Sequence, residues 1–503
     1  MHRAVRFLLV FAIAFVVLGG PASTAYANPT PPTFAPYLVP PPVPPPATPA
    51  IAALLKGSSV TGGNGWIVAH LEGGPYQIGF QNGYLTAQSA DYGIQYDVDV
   101  LGSHYRKVAE KVAQYYVWPL VPAEYRQELR GIADGMHAAG YTQDTLWDVV
   151  AVNAWADEAC YATLLPKTSS TTTTATATTL KSNKPGGCSA FIATGDATVD
   201  GKPVMGHDTW DWYDGCFSYN VMFYVHPTKG YAFSYQSCGG QIWSGEDWYT
   251  NSAGLLICET TLADTTYTPT GIPVFVRARE AAQYAATVAQ AVNTLVTGNN
   301  GAYSNEWLIG DATGKIASLQ LGGKVYDLNQ TRNGFFGSCN FDWGPKTRAE
   351  EGKIADPFNP AVVDYARYIR WGQLKDQYYG QIDAKVGMTM ESDTYDTYLG
   401  MQLPDARSLC GEPEHGTPGL LHWDSWVLEP EGASDGKVTT ESMAVNGLAS
   451  WACWGRGSGD HFDATAYLAA NPGWASSHGA LSVFELKTFS AQSTDTWGLV
   501  QDK

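Results

Sequence analysis

The sequence is poor in basic residues and in long apolar runs. Its 503 residues include 30 lysines and arginines against 48 aspartates and glutamates, which gives a formal charge of −18 at pH 7. Such an acidic chain is a poor partner for nucleic acid or any other polyanion. Outside the N-terminal run at residues 7–18, no stretch approaches the roughly 20 apolar residues that span a bilayer. We therefore expect no nucleic-acid partner and no integral membrane segment in the mature protein.

The cysteines also lack the spacing of a metal site. Eight are present, with no CxxC pair and no tight cysteine–histidine cluster of the kind that binds zinc. We expect neither a metal ion nor another cofactor. An exported protein could join some of these cysteines in disulfides, but spacing does not reveal which.

The N-terminus has the pattern of an export signal. Arg3 and Arg6 precede the apolar run Phe7 to Leu18, and Ala25-Tyr26-Ala27 offers small residues for cleavage. A membrane anchor is the alternative, but the run is short for a span. The sequence predicts a signal peptide over residues 1–27 and a secreted or extracytoplasmic protein, in a lysosome-like compartment if the host is a eukaryote. Its removal takes away two arginines and no acid, so the charge becomes −20.

Composition divides the rest of the chain into four parts. Residues 28–50 are rich in proline and predict a polyproline II spacer outside the core. Residues 51–165 show apolar residues at helical spacing and predict an N-terminal helical segment. Residues 166–187 form a threonine-rich tract with almost no apolar residue, which predicts an exposed linker open to proteases and to excision. Residues 188–503 mix strand and helix patterns, so the fold class is α+β.

Strand patterns dominate after residue 188. The segments "YNVMFYVHP", "YAFSYQS" and "GLLICETTL" predict strands, and "EWLIGDATGKIASLQLGGKVYDL" predicts two or three more with turns at Asp311 and Gly322-Gly323. Between them, "PVFVRAREAAQYAATVAQAVNTLVTG" predicts one amphipathic helix that ends at Gly298.

A hairpin is predicted directly after residue 188. Asp200-Gly201 is a strong turn signal between alternating runs. Strict pairing about that turn would place Cys188 opposite Tyr213, well past Asp208. We therefore expect a bulge or a wide loop near Gly195-Asp196, because each bulged residue moves the partner back by one.

Cys188 stands where the disposable tract ends and the first strand begins. If the chain is cut after Gly187, Cys188 carries both a thiol and a free α-amino group, whose pKa of about 7.7–8.0 makes it a base near neutral pH. A thiolate is the nucleophile that attacks amide and ester carbonyls, and it needs such a base. Gly186 and Gly187 admit the strained backbone that self-cleavage requires. The alternative is a small buried cysteine that begins a strand.

The segments "GGCSAFIATGD" and "VDGKPVMGHDTW" resemble the phospholipase B-like family of the N-terminal nucleophile (Ntn) hydrolase superfamily. The resemblance continues in "IWSGEDWYTNSAGLLICETTL", "NNGAYSNEWLIGD" and "GASDGKVTTESMAVN", and upstream "GGPYQIGFQNGYL" and "LRGIADGM" resemble the penicillin-forming acyltransferases. It implies a four-layer αββα sandwich, autocleavage between Gly187 and Cys188, and two fragments that stay associated. It also implies hydrolysis or transfer of an acyl group held in a small-molecule or lipid amide or ester.

The same resemblance assigns roles to individual residues. The nucleophile is Cys188, with His207 and Asp208 as a polar pair beside it. Asn305 matches a position where an amide faces the oxyanion, and such a donor is typically worth about 2.7–4 kcal/mol in the transition state. A weaker candidate for a second oxyanion or substrate contact is Asn251, and Trp210 is assigned to substrate binding.

Each assignment has a structural alternative. His207 could be a core histidine with satisfied hydrogen bonds, and Asp208 could cap a turn. Either asparagine could bond its own loop backbone, which for Asn251 is the stronger interpretation. Many relatives also carry an arginine where this chain has His207, so transition-state charge would be handled differently here.

Three functions fit the sequence. The leading hypothesis is an exported, autoprocessed cysteine hydrolase that acts on an acyl amide or ester. The alternatives are an acyltransferase of the penicillin-forming type and a non-catalytic exported binding protein with the same fold. A free N-terminal Cys188 favours the enzymes, whereas an intact chain with Cys188 in a disulfide favours the binding protein.

Overall fold

A computed structural model describes residues 34–101, 103–162, 164, 187–262, 267–351, 356–419 and 429–502. The predicted signal peptide and residues 166–186 of the predicted linker lie outside this range. Among the described residues, no helix combines the length and apolar character that crossing a membrane requires.

The helices are distributed along the whole described chain. They are α1 (Pro49–Leu54), α2 (Pro75–Leu85), α3 (Ala87–Leu101), α4 (Ser103–Val112), α5 (Ala123–Ala139), α6 (Leu146–Asn153), α7 (Trp155–Ala162), α8 (Tyr213–Cys216), α9 (Val274–Tyr284), α10 (Val288–Val296), α11 (Pro345–Glu351), α12 (Val363–Tyr378), α13 (Ala384–Glu391), α14 (Glu441–Val445), α15 (Ala464–Ala470) and α16 (Pro472–Gln492), the last bent at Gly479.

The strands begin before the first long helix and resume at residue 189. They are β1 (Ser59–Gly63), β2 (Trp66–Gly73), β3 (Ser189–Gly195), β4 (Gly201–Asp208), β5 (Trp210–Trp212), β6 (Val221–Pro227), β7 (Phe233–Ser237), β8 (Trp248–Asn251), β9 (Leu256–Thr261), β10 (Asn305–Gly310), β11 (Ile316–Leu321), β12 (Tyr326–Thr331), β13 (Gly334–Ser338), β14 (Tyr395–Asp396), β15 (Met401–Gln402), β16 (Glu431–Ala433), β17 (Asp435–Thr440), β18 (Ser450–Trp454) and β19 (Gly498–Val500).

Two large sheets organise these strands. The first has nine strands in the order β1-β2-β6-β7-β8-β9-β10-β11-β12. The second has six, in the order β13-β3-β4-β17-β18-β19. Neighbouring strands run antiparallel except β2 and β6, which are parallel.

The two sheets pack face to face, with helices outside them. Strands β3 and β4 of the second sheet lie against β9 and β10 of the first, and the hydroxyls of Thr260 and Ser338 meet across the interface at 2.6 Å. Helices α2, α9 and α10 pack on the nine-stranded sheet, while α12 and α13 pack on the six-stranded one. The predicted α+β class and αββα layering are confirmed.

Most of the predicted strands are confirmed. The segments "YNVMFYVHP", "YAFSYQS" and "GLLICETTL" contain β6, β7 and β9, and the segment after Asn305 contains β10, β11 and β12. Asp311 makes the first expected turn, because its carboxylate accepts from the Thr313 backbone at 2.9 Å. The second lies at Gly322, whose N–H donates to Val325.

The prediction of one long helix after residue 273 is wrong. The segment forms two helices, α9 and α10, separated at Ala285–Thr287. Ala285 adopts an extended conformation, and the Thr287 side chain accepts from the Gln290 N–H at 3.3 Å. That cap starts a new helix, so the apolar periodicity continues across a break in the backbone.

The proline-rich segment is not a free spacer, which corrects the prediction for its described part. Tyr37 is buried, and its hydroxyl donates to the Asn220 side chain at 2.8 Å. Its ring packs edge-on against Tyr92 and Phe217. One aromatic residue therefore anchors a segment that composition alone marked as outside the core.

The N-terminal segment is not purely helical either. Residues 51–165 contribute β1 and β2, and β2 pairs with β6 through the register Ile67↔Val221 to Gly73↔Pro227. The parts of the chain before and after the threonine-rich tract thus share one sheet. Strands β1 and β2 were missed at the sequence level because they are short and the helical patterns that follow them are much stronger.

The expected irregularity in the first hairpin is confirmed. Ser189 pairs with Asp208 and Ala193 with Val204, whereas Gly195 pairs with Gly201 after a register shift. The connection is therefore wider than the two-residue turn that Asp200-Gly201 suggests. As a result Cys188 immediately precedes β3 and lies beside the C-terminal end of β4.

Candidate active site

Cys188 is a free thiol at the entrance to β3 and is only 4% exposed. Burial raises the pKa of this thiol well above its ordinary value, and the nearby Asp247 carboxylate raises it further. The backbone N–H of Trp210 faces the sulfur and acts in the opposite direction. The thiol is accordingly held in its protonated form at neutral pH.

His207 lies in the middle of the second sheet, between Ala190 of β3 and Lys437 of β17. Its Nε2 is 2.8 Å from the Glu259 carbonyl oxygen. A carbonyl can only accept, so Nε2 carries the proton and Nδ1 keeps its lone pair. Burial and the Lys437 charge lower the pKa of His207 well below its usual value, so the ring is neutral.

A third side chain, missed by the sequence analysis, completes this group. One atom each of the Cys188 thiol, the His207 ring and the Asp247 carboxylate lie within 4.8 Å of one another. Asp247 directly precedes β8 and has a left-handed backbone with φ of 62°. Such strain in a non-glycine residue is typical of functional sites, although aspartate tolerates it better than most residues.

Asp247 and Glu259 form a buried acidic pair beside the thiol. Burial and the neighbouring Glu259 raise the pKa of Asp247 well above its usual value. Burial also raises the pKa of Glu259, to about 7. Ionising both carboxyl groups in one buried site is energetically unfavourable, so the pair holds a proton near neutral pH. It can therefore give or take a proton close to Cys188.

Asn305 is the first residue of β10 and is buried. Its amide adjoins the Glu259 carboxylate, and no other hydrogen-bond partner for it lies within the described residues. Leaving a buried amide without partners costs free energy, which favours a position that a bound group completes. The structure thus brings Asn305 to the same acidic pair that borders Cys188.

Asp208 does not join the group around Cys188. Successive residues of a strand point to opposite faces, and Asp208 faces away from His207, toward Glu391 of α13 and the Cys410 thiol. Burial, followed by the Glu391 charge, raises its pKa well above the usual value. The predicted polar pair is thus divided between the two faces of the second sheet.

Lys437 supplies a buried positive charge next to His207. Its ammonium group donates to the Asp435 carboxylate at 2.6 Å, to the Thr209 hydroxyl at 2.8 Å and to the Glu246 carbonyl at 3.3 Å. These partners satisfy all three of its protons, so a charged lysine is tolerated in the interior. It neutralises part of the negative charge that the acidic residues bring to the site.

Trp210 lies against the peptide that joins Gly187 to Cys188. Its indole N–H donates to the Leu409 carbonyl at 3.0 Å, which fixes the ring. A Cβ on Gly187 would lie 2.2 Å from Cε3 of that ring, and the Arg367 guanidinium lies 4.9 Å from the ring centre. Trp210 therefore holds the predicted cleavage point, in addition to any contact with substrate.

Asn251 has its hydrogen-bonding capacity filled by local backbone. Its amide nitrogen donates to the carbonyls of Ala282 and Ala285 at 2.9 and 2.8 Å. Its oxygen accepts from the N–H groups of Ala253 and Leu255 at 3.0 and 3.2 Å. The side chain ties a turn to α9, which agrees with the structural alternative, and we leave it out of the proposed site.

Two histidines and an aspartate form a separate cluster away from Cys188. Asp502 accepts from His70 Nδ1 at 2.7 Å and from His226 Nε2 at 2.5 Å. These bonds lower the pKa of Asp502 and raise that of His226. The arrangement holds the C-terminal residues against the adjacent strands β2 and β6.

The missed residues share one reason for being missed. Asp247 and Glu259 lie in "IWSGEDWYTNSAGLLICETTL", and Lys437 lies in "GASDGKVTTESMAVN", segments that carry the family resemblance. The only available signal was a single carboxylate in the otherwise apolar start of β9, which applies to Glu259 alone. Nothing in their spacing says that they meet at Cys188.

The family model described as Phospholipase B matches residues 77–325. Over these residues the chain is similar to the phospholipase B family. The matched region runs from α2 into the turn after β11 and includes Cys188, His207, Asp247 and Asn305. The resemblance predicted from the sequence is confirmed over this range.

A curated relative extends the similarity beyond that region. An uncharacterized protein of Archaeoglobus fulgidus is 28% identical over 352 residues, which cover 66% of this chain and 51% of the relative. The chain thus spans about half the length of that relative.

Two solved structures are weakly similar. Penicillin V acylase from Agrobacterium tumefaciens has 14% identity and a TM-score of 0.32, covering 53% of this chain and 83% of its own. A variant of conjugated bile acid hydrolase from Clostridium perfringens has 13% identity and a TM-score of 0.31, covering 53% and 89%. Scores this low carry no argument about the present chain.

Proposed function

We propose that the protein is an autoprocessed cysteine hydrolase that cleaves an acyl amide or ester bond through an acyl-enzyme on Cys188. The observation that carries this proposal is the meeting of the Cys188 thiol, the His207 ring and the Asp247 carboxylate within 4.8 Å, directly after the Gly187 peptide bond. The match of residues 77–325 to the Phospholipase B family model supports the hydrolase class.

Maturation is the first reaction in this proposal. The Cys188 sulfur attacks the Gly187 carbonyl carbon while the thiol proton passes to the neighbouring carboxylate pair, and the carbonyl becomes an oxyanion. Collapse breaks the C–N bond, the nitrogen of Cys188 takes up a proton, and a thioester remains. Water then cleaves the thioester, leaving a Gly187 carboxylate, a free thiol and a free α-amino group.

Turnover uses the same sulfur with a new base. The α-amino group created by cleavage has an ordinary pKa of about 7.7–8.0 and lies on the residue that bears the thiol. It removes the thiol proton as the sulfur attacks the substrate carbonyl, and Asn305 donates to the developing oxyanion. Lys437 offsets the negative charge of the acidic residues, the task that an arginine at position 207 would otherwise share.

The burial of Cys188 explains why cleavage must precede turnover in this proposal. With Cys188 only 4% exposed, an external acyl substrate cannot reach the thiol in the uncut chain. Release of Gly187 from Cys188 would open that route. The pairing of β2 with β6 supports fragments that stay associated after the cut, because they share one sheet.

The proposal extends to location and substrate class. A signal peptide over residues 1–27 would place the enzyme outside the cytoplasm. The acidic surface suits a neutral or cationic acyl compound better than a polyanion, and a lipid amide or ester is one member of that class.

The decisive experiment is intact-mass analysis with N-terminal sequencing of the purified protein. We expect two fragments, the larger beginning at Cys188, together with hydrolysis of a panel of chromogenic acyl amides and esters. An intact single chain in an active preparation would refute the maturation mechanism. Fragments that hydrolyse nothing and retain a bound acyl compound would point to the binding-protein alternative.

A further inference from the structure

A fully buried arginine contacts the peptide bond at which the chain is proposed to cut itself. Arg367 lies on α12, packed against the second sheet, and its side chain is inaccessible to solvent. Its Nη1 is 2.5 Å from the Gly187 carbonyl oxygen and 2.7 Å from the Cys188 carbonyl oxygen. The same nitrogen is 3.4 Å from the Ser189 hydroxyl. One guanidinium nitrogen therefore spans both sides of the Gly187–Cys188 bond.

The other side of the guanidinium is fixed by separate partners. Nη2 donates to Asp364 Oδ1 and to Asn340 Oδ1, both at 3.0 Å. The Trp210 ring lies 4.9 Å from the guanidinium carbon. These contacts hold the planar group in one orientation, so that Nη1 remains directed at the two carbonyls.

We propose that Arg367 is the donor that stabilises the Gly187 oxyanion during self-cleavage. This inference rests on the proposed function. Attack of the Cys188 sulfur moves the carbonyl π electrons onto the Gly187 oxygen, where a cationic donor already waits at 2.5 Å. The hydrogen bond strengthens as charge develops, and it weakens again when the C–N bond breaks and the carbonyl re-forms as a thioester. The same donor serves the second oxyanion, formed when water attacks that thioester.

A purely structural arginine explains these contacts less well. The Asp364 carboxylate alone would neutralise the buried charge. Arg370 on the same helix bonds only side chains, donating to Asp393 at 2.8 and 2.6 Å and to Gln373 at 2.9 Å. Arg367 differs because its Nη1 is given wholly to the two carbonyls beside the cleavage point and to the next hydroxyl. A buried arginine whose N–H groups donate to neutral carbonyls can stabilise one of those carbonyls when it becomes negatively charged.

The geometry also separates maturation from turnover. Asn305 adjoins Glu259 on β9, whereas Arg367 approaches from α12. After the cut, the Gly187 carbonyl is no longer held beside Arg367 by the chain. Arg367 keeps its hydrogen bond to the Cys188 carbonyl, and this bond positions the new N-terminus. We therefore expect Arg367 to limit the rate of cleavage and Asn305 to limit the rate of turnover.

The test measures the rate at which the Cys188-terminated fragment appears in full-length chains. Arg367→Met should slow cleavage by roughly 10²–10³-fold, the usual effect of losing one oxyanion donor. Arg367→Lys keeps the positive charge but cannot donate to both sets of partners at once, so its cleavage rate should lie between those of the wild type and Arg367→Met. Arg370→Met is the control, because it removes another carboxylate-paired arginine from the same helix that does not contact the cleavage point, and it should cleave within a few-fold of the wild type.

A chemical rescue separates oxyanion stabilisation from folding. Adding guanidinium at millimolar, non-denaturing concentration to Arg367→Ala should restore part of the cleavage rate, whereas methylammonium of the same concentration should restore less. A merely structural residue would not respond within an already folded chain. Circular dichroism of each variant before the assay shows that the fold is retained.

The outcomes are distinct. If the wild type is not cut at Gly187, the proposed function fails and this inference fails with it. If the wild type is cut and Arg367→Met is cut at the same rate, only this inference is overturned. It is also overturned if Arg367→Met and Arg370→Met slow cleavage equally, or if guanidinium leaves the slowed Arg367→Ala chain unchanged.

Discussion

The backbone of Gly187 lies so close to the indole ring of Trp210 that position 187 has no room for a side chain. A Cβ there would lie 2.2 Å from Cε3 and 2.6 Å from Cβ of Trp210. The ring cannot retreat easily, because its N–H is bonded to the Leu409 carbonyl at 3.0 Å. The glycine before Cys188 is thus required by close packing against Trp210.

Gly187→Ala should therefore impair maturation while leaving the nucleophile in place. The added methyl group must displace the carbonyl or the ring, and a shift of about 1 Å at a reacting centre costs roughly 10²-fold in rate. Cleavage followed by mass spectrometry measures the effect. Gly473→Ala is the control, because nothing lies within 4 Å of a Cβ at that position. Cleavage of Gly187→Ala at the wild-type rate would show that the peptide is not held against Trp210 during the reaction.

Cys188→Ala should abolish both maturation and turnover. The sulfur is the proposed nucleophile of both reactions, whereas one small side chain before β3 contributes little to packing, so circular dichroism should be nearly unchanged. Cys188→Ser should still cleave slowly, since a hydroxyl can make the same acyl shift less readily. Cys216→Ala, which removes another buried thiol, is the control and should keep both activities. Full hydrolysis by Cys188→Ala would refute the assignment.

Asn305→Ala should lower kcat by roughly 10²–10³ with little change in KM, because an oxyanion donor acts on the transition state more than on the bound substrate. Asn305→Asp should be at least as damaging, since it adds a negative charge beside the oxyanion. Steady-state rates are referred to the fraction of chains that carry a free Cys188 N-terminus.

Asn251→Ala is the matched control for that experiment. Its amide ties α9 to a turn through four backbone contacts, so the change should lower the melting temperature and leave kcat nearly unchanged. A change in KM alone for Asn305→Ala would move this residue from the oxyanion to substrate binding.

Stability should fall as pH rises from about 4 to 7. Burial raises the pKa of Glu259 and Asp405 to about 7 and that of Asp157 to about 6. The folded chain keeps these protons while unfolded carboxyl groups lose theirs above about pH 4. Folding therefore becomes less favourable by up to about 1.4 kcal/mol per pH unit for each group that stays protonated. The native state should be most stable in mildly acidic conditions.

Thermal unfolding of the uncut Cys188→Ala chain at pH 5, 6 and 7 measures this effect without interference from maturation. Asp157→Asn removes one of the titrating groups and should flatten the dependence. A melting temperature that stays constant or rises between pH 5 and 7 would contradict the prediction.

Local patterns were sufficient for much of the fold. The strands β6, β7 and β9 were predictable because each is buried on both faces, and a short run of mostly apolar residues between turns indicates such a strand. The mismatch between the Asp200-Gly201 turn and the position of Asp208 was enough to require an irregular hairpin. The break between α9 and α10 was not predictable, because the apolar spacing continues through a cap that depends on one threonine.

The sequence by itself determined the family resemblance, the α+β class and Cys188 as the residue to examine, because these depend on neighbouring residues along the chain. Only the tertiary structure decided which charged groups surround that thiol. Asp247 precedes β8, Glu259 lies on β9, Arg367 on α12 and Lys437 on β17, at successive intervals of 12, 108 and 70 residues along the chain. Sheet register and layer packing bring such distant residues together, and it is burial in that shared interior that shifts their pKa values and fixes their contacts.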